Sequence, residues 1–500
     1  MARTRTSGTP DISPAAPAHA LLPVVPAITL AAPRLLPLAG GTLLMSLAAW
    51  VYELTGQRDN PLAAVFVLLA FAAAVALLLR AGRAQPSRHT LAHDTLTIAR
   101  RPFAVRLANR FIARLAAPAI IAAILLSGLA TLALAGTVAL SAAGSPRLYN
   151  SDAAAFNHYN ADLVRNGVNP YTSDDRFWDA VARFPDAGAT PLRLGRYAGE
   201  RLGPSLDTVV RDAHAELANP ALRGPEYAPA SLHSYPALAF LVYLPGDWAG
   251  LPTTFLTSLF VLLAFLAIVL WTAPARLRPA LAVVLLANTF LVVYTLRGSF
   301  EVIALLPALL AWRGLERLEK PGTHGSGACG APLQAGWLGL ACAVKQTVWP
   351  LVPLYAIIVW RRQGARAALA HLGIAAGAFL LPNLPFIIAS PGAWAASMVL
   401  PLTLPIFPSG MGLVALGRAG VLPLLPPVAY AALELLALAA VTLWYATART
   451  LPPPALALLL GLLPFTLAWH SLFAYVIALP ALAVYATATK WNEISIFAPA

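Results

Sequence analysis

Charge is scarce in this sequence. Asp, Glu, Lys and Arg together make up 11% of its 500 residues, where a soluble protein carries about 25%. Cysteine is scarcer still: there are two, Cys329 in a Gly-rich loop and Cys342 in an apolar run. No CxxC or Cys/His cluster accompanies them, which excludes a disulfide framework and a structural zinc site. Internal repeats, heptads and any long polar stretch suited to a separate soluble domain are also missing. What fills the chain instead is apolar: 59% hydrophobic residues and a mean hydropathy of +0.70. That composition implies an integral membrane protein. The net charge of +13 sits mostly as arginine in short loops between apolar runs. The positive-inside rule accounts for it, so no nucleic-acid partner is expected.

A helical span needs about 20 apolar residues. Candidate runs are 35–54, 62–80, 113–142, 251–272, 279–296, 300–313, 334–345, 348–360, 367–388, 423–447, 452–469 and 472–488. The fold class expected is therefore all-α, a polytopic helical membrane protein of about twelve spans. Residues 1–34, rich in Ala, Pro, Ser and Thr, read as a disordered cytoplasmic tail. Residues 35–112 supply two spans and a basic loop with Arg80, Arg83, Arg88, Arg100, Arg101, Arg106 and Arg110. Further basic clusters fall at 276–278, 313–320 and 361–366, and near Arg449 and Lys490. With all of these cytoplasmic, the alternation closes with both termini inside. The opposite side then carries one long segment, 143–233, and a shorter one near 389–422.

The long segment opens with "YNSDAAAFNHYNADLVRNGVNPY", residues 149–171. Asn150 or Ser151 can cap a helix with Asp152 in its first turn, and Gly167 can end it. Helical spacing puts Asp152, Phe156, Tyr159 and Leu163 on one face, as in an amphipathic helix lying on the outer membrane surface. An acid in a first turn is also favourable in its own right, through the helix dipole.

Other polar residues fall at the outer ends of spans. "LRGSFE" places Arg297 and Glu301 at one turn, "VKQT" places Lys345 and Gln346 at another, and "WHS" places His470 at a third. His233 stands where the long segment returns to the membrane, where a hydrogen-bonded loop histidine is the plainer reading. An ionisable group at membrane depth is expensive and marks a candidate site. Lys345 is the strongest case, with apolar residues on both sides; snorkelling, or a structural pair with Glu301, is the competing account. A cation beside an outer carboxylate suits transfer from a lipid phosphate. The leaving phosphate needs positive charge, and an acceptor hydroxyl needs a base. Asp152 is the candidate base, and Lys345 or Arg297 the phosphate holder.

These residues resemble the GT-C superfamily of membrane glycosyltransferases, especially the polyprenyl-phosphate-mannose-dependent group of family 87. The resemblance rests on "SDAAAFNHYNADLVRNGVNPY", "SYPALAFLVYLP", "RGSFEVIALLPALLAW", "GLACAVKQTVWPLVPLYA" and "NLPFIIASPGAWAASMVLPL", in that order. It covers about 113–475 and gives 113–490 as the catalytic domain, with 143–233 as its large first extracytoplasmic loop. It implies a polyprenyl-phosphate sugar donor, a glycolipid or glycan acceptor of the envelope, inversion at the anomeric carbon, and residence in the bacterial plasma membrane. Asp152 matches the family's loop acid. Lys345 and Gln346 match a recurring element, and with Arg297 they are assigned to the donor phosphate on charge and depth. Tyr159, Glu301, His233 and His470 are candidate substrate contacts. No cofactor is called for and no metal is assigned, although Asp174 and Asp175 could meet a divalent cation. The rival reading is a polytopic transporter or lipid-linked-sugar flippase, and a third is a non-catalytic envelope scaffold.

Overall fold

A computed structural model gives the fold, and it describes residues 24–55, 60–83, 103–144, 152–172, 211, 215, 219, 233–251, 253–317, 327–403 and 408–495. Most of the expected outer segment 143–233, Asp174 and Asp175 included, and most of the basic loop after Arg83 lie outside the described residues.

The described chain is a helical assembly. Its first helices are α1 (Val24–Leu54), α2 (Pro61–Arg83), α3 (Phe103–Gly144) and α4 (Asp152–Arg165). After the long segment come two short pieces, α5 (Leu238–Leu241) and α6 (Leu244–Trp248), then α7 (Thr253–Trp271), α8 (Arg278–Leu286) and α9 (Thr289–Leu296). Next are α10 (Glu301–Arg317), α11 (Gly327–Val344), α12 (Leu351–Gln363), α13 (Ala365–Ala389) and α14 (Pro391–Thr403). The last are α15 (Leu413–Arg418), α16 (Pro427–Thr447), α17 (Pro454–Leu462) and α18 (Leu479–Ser495). The only β-structure among the described residues is a two-residue parallel pair, β1 (Ser409–Gly410) with β2 (His470–Ser471).

Among the described residues six helices are long and apolar enough to cross a membrane: Leu35–Tyr52, Pro61–Ala81, Pro118–Ala143, Thr254–Trp271, Ala365–Ala389 and Pro427–Thr447. They coincide with six of the twelve expected runs. A seventh candidate is α8 with α9, bent by 70° at its break. Of the remaining runs, 300–313 forms the 17-residue α10, 334–345 and 348–360 are parted by a turn at Gln346–Val348, and turns at Leu463–Leu467 and Phe473–Val476 interrupt 452–469 and 472–488. The N-terminal helix reaches back to Val24, inside the segment 1–34 expected as a tail. Pro26 falls in its first turn, where the missing N–H has no helical partner to lose.

The outward faces are apolar. Leu62, Leu126, Leu129, Phe260, Leu381, Ile388, Leu435 and Leu436 are all exposed. So broad an apolar surface fits lipid contact better than water. Between helices in lipid, small residues allow close approach. A Cβ on Gly41 would meet Leu78 at 2.8 Å, where α1 packs on α2. A Cβ on Gly339 would run into the backbone of Ala375, where α11 packs on α13.

The break between α8 and α9 leaves backbone groups without helical partners, and lipid cannot supply them. Three helices do. Ser46 of α1 and Ser127 of α3 both donate to the Ala287 carbonyl, at 3.1 and 2.9 Å. Asn288 caps α9 by accepting from the Leu291 N–H at 3.3 Å, and its amide donates to the Ile477 carbonyl at 2.8 Å. The α1 span, one of two that precede the family-like region, is thus part of the bundle's internal hydrogen bonding.

Candidate functional site

The helix expected after the third span is present as α4 and begins at Asp152. The Asp152 side chain lies outside the described residues. Gly167, with φ of 74°, closes the helix, as the sequence suggests.

The surroundings of α4 correct one expectation. It does not lie on a surface with one wet face: residues 154–163 are all buried. Its polar residues are buried because other segments meet them. His158 Nε2 lies 2.8 Å from Asp247 of α6, and its Nδ1 lies 3.2 Å from the Thr254 hydroxyl of α7. The His158 ring also stacks on Tyr243, with centroids 5.0 Å apart. The Asn160 amide donates to His233 Nδ1 at 2.9 Å. Tyr159 is buried with the rest, on the Phe156 face.

His233 is enclosed by rings, with Tyr171 at 4.9 Å, Phe240 at 5.3 Å and Phe156 at 5.5 Å. Because Nδ1 accepts from Asn160, the ring proton sits on Nε2. That Nε2 has no hydrogen-bond partner among the described residues. Burial pushes the imidazole down to about 3, so it is neutral across ordinary pH. The return of the chain to the membrane is fixed here too. Asn383, buried in the α13 span, accepts from the Ala237 N–H at 2.9 Å and from the Trp394 indole at 3.1 Å.

Two residues on from His233, the cluster reaches the charged pair. Lys345 stands between α11 and the turn that follows it, just past a helix C-terminus, where a cation is favourable. Its Nζ lies 2.5 Å from Glu301 Oε1, and both side chains are buried. Ser299 donates to the other Glu301 oxygen at 2.5 Å. Two tyrosine rings flank the ammonium, Tyr235 at 5.7 Å and Tyr475 at 5.3 Å. Gln346 donates to the Ser234 carbonyl, tying the "KQT" turn to the "HSY" turn.

The "RGSFE" turn joins this pair to α4. Gly298 has φ of 93°, and a Cβ there would meet Ala154 and Thr254 at 3.1 Å. The first turn of α4, which begins with Asp152, therefore rests on the turn that carries Arg297, Ser299 and Glu301. The Arg297 residue is half-buried, and its side chain makes no hydrogen bond or ion pair among the described residues.

The structure thus brings Tyr159, His233, Arg297, Glu301, Lys345 and Gln346 into one neighbourhood with the start of α4. His470 lies in β2, where its backbone pairs with Ser409. Sequence reasoning missed Ser299, Tyr235, Tyr475, Asn160 and the His158–Asp247 pair. Asp247 carried a usable signal as an acid in a short apolar stretch, whereas the tyrosines carried none. Lys345 and Arg297 differ in one respect that the sequence could not give: the lysine is matched by a carboxylate, whereas the arginine meets none among the described residues. No known protein family, curated protein or solved structure matches the chain.

Proposed function

We propose that this chain is a membrane glycosyltransferase of GT-C type. It moves a sugar, with mannose the first candidate, from polyprenyl phosphate to an envelope glycolipid or glycan on the extracytoplasmic side. The observation that carries the reading is the junction of three segments far apart in sequence: the first turn of α4, the Arg297–Glu301 turn and the buried Lys345. A carboxylate, a guanidinium with no ion pair among the described residues and a fixed ammonium are what displacement of a lipid phosphate needs within one site.

In that reaction the acceptor hydroxyl oxygen attacks the anomeric carbon from the face opposite the phosphate. The carbon–oxygen bond to phosphate breaks, and polyprenyl phosphate leaves with the electron pair. Asp152 takes the hydroxyl proton. Arg297 offsets the charge that grows on the phosphate, and Lys345, held by Glu301 and two rings, adds to the local potential. Inversion follows from the single displacement.

The flippase alternative draws on the broken pair α8–α9, since discontinuous helices build transporter sites. The carbonyl freed at that break is already taken up by Ser46 and Ser127, which leaves little there for an ion.

The test is transfer of labelled sugar from polyprenyl-phosphate mannose in membranes holding the wild type, Asp152→Asn or Lys345→Ala. Loss of a general base predicts a drop of about 10² or more for Asp152→Asn. Wild-type rates in Asp152→Asn would remove the base assignment. Absence of transfer by every form would move the question to a flipping assay.

A further inference from the structure

His158 sits in the second turn of α4, with its side chain 1% exposed. Its Nε2 meets both oxygens of the Asp247 carboxylate, at 2.8 and 3.0 Å, and that side chain is 5% exposed. An ionised carboxylate only accepts, so Nε2 is the donor. On the other edge of the ring, Nδ1 lies 3.2 Å from the Thr254 hydroxyl. One face lies against the Tyr243 ring, 21° from parallel.

Apolar contact would hold α4 in place at less cost. Taking an ionisable pair out of water is expensive, and replacing such a pair by apolar groups is often neutral or stabilising. What apolar contact does not supply is direction. Here the imidazole is fixed on two edges and one face, by Asp247 of α6, by Thr254 of α7 and by Tyr243 just before α6. A ring fixed in this way sets the rotation of α4 about its own axis as well as its position.

That rotation decides where the first turn of α4 points. Thr254, which meets His158, also lies against the Arg297–Glu301 turn: a Cβ on Gly298 would come within 3.1 Å of Thr254 and of Ala154 alike. The bond from Asn160 to His233 ties α4 to the returning chain, whereas the His158 bonds tie it through α7 to the Arg297 turn. Asp152 stands two residues before Ala154 and six before His158 on the same helix. A side-chain tip about 5 Å from a helix axis moves by about 1 Å when the helix turns by about 10°. A misplacement of about 1 Å at a reacting centre costs about 10²-fold in rate.

We propose that His158 and Asp247 are a positioning pair, which sets the rotation of α4 so that Asp152 faces the acceptor hydroxyl beside the Arg297 turn. This role rests on the transferase reading and adds to it two residues that touch neither sugar nor phosphate.

The experiment measures kcat and KM for labelled polyprenyl-phosphate mannose in membranes holding matched amounts of the full chain. An asparagine amide reaches the Nδ1 position of an imidazole, and a glutamine amide reaches the Nε2 position. His158→Asn therefore keeps the bond to Thr254 and loses the one to Asp247, whereas His158→Gln keeps the one to Asp247. His158→Asn should lower kcat by about 10-fold or more and leave KM within about 2-fold, since the donor's own contacts are untouched. His158→Gln should recover most of that loss. Added to Asp152→Asn, His158→Asn should cost less than about 2-fold, because its effect passes through the carboxylate already removed. A merely structural role would lower the rate by the same factor in both backgrounds, and that result overturns the pair's role. So does a kcat within about 2-fold of wild type in His158→Asn, or a loss in His158→Gln as large as in His158→Asn. In each of those cases the transferase reading stands. Wild-type rates in Asp152→Asn remove the base and the pair's role together. Wild type that transfers no sugar removes the transferase reading, and the pair's role with it.

Discussion

Removal of one member of the Lys345–Glu301 pair should cost far more than removal of both. The two side chains are 7% and 6% exposed, and their charged atoms are 2.5 Å apart. Glu301→Gln removes the carboxylate that faces the buried ammonium, which the rings of Tyr235 and Tyr475 flank. Lys345→Met leaves a buried carboxylate whose remaining side-chain donor among the described residues is Ser299. Breaking such a pair from one side costs about 3–5 kcal/mol, whereas apolar or neutral replacement of both partners is close to neutral. The double variant Glu301→Gln/Lys345→Met should therefore be no less stable than the worse single variant, with a coupling of about 3 kcal/mol. An exposed pair would show about 1 kcal/mol at most. Reversible unfolding in mixed micelles, run as a double-mutant cycle, reads this directly. The lysine-free variant should also regain part of its loss in acid, where Glu301 can take up a proton. If the single losses simply add, with coupling under about 1 kcal/mol, the pair is solvated and the claim of a buried charged centre fails.

Three further outcomes follow from the same geometry. His233 is held near 3 in the fold against an ordinary value of 6.5, so the unfolded chain takes up a proton there before the fold does. Stability should be flat on this account above pH 6.5 and fall by about 1.4 kcal/mol per pH unit below it, until about pH 3; His233→Gln should lower that slope by one proton in pH-dependent unfolding. Gly339→Ala should destabilise by about 1–3 kcal/mol, because its Cβ meets the Ala375 backbone, which cannot turn aside; a thermal scan in detergent would show no change if α11 and α13 can separate. Asn288→Ala loses both the α9 cap and the bond to Ile477 and should cost about 2–3 kcal/mol, while Asn288→Asp keeps the cap and should cost less; equal losses in the two variants would mean that the cap contributes nothing.

Hydropathy made the helical, membrane-spanning character legible, because a span is a property of a contiguous run. It succeeded for 62–80, 251–272, 367–388 and 423–447, where helix and run coincide. It failed where a run is continuous and the backbone is not. Residues 279–296 read as one apolar stretch, yet the chain bends at Asn288, whose amide finds a carbonyl 189 residues away. The same limit explains α4. Its polar residues read as a wet face, and they are buried because Asp247 and His233 complete them from far along the chain. Periodicity reports which residues share a face but not what that face meets.

Isolated charge is the one local signal that did point to the site, and its logic extends past the residues it first identified. A charge inside an apolar run must be answered by something, so Lys345 and Glu301 stood out from sequence alone, and the fold makes each the answer to the other. Glu434 satisfies the same criterion: it is the only charged residue between Arg418 and Arg449. Glu301 is matched by Lys345, whereas Glu434 makes no hydrogen bond or ion pair among the described residues. A protein that needed only stability would gain by an apolar residue at 434, since nothing in the described bundle bonds to this acid.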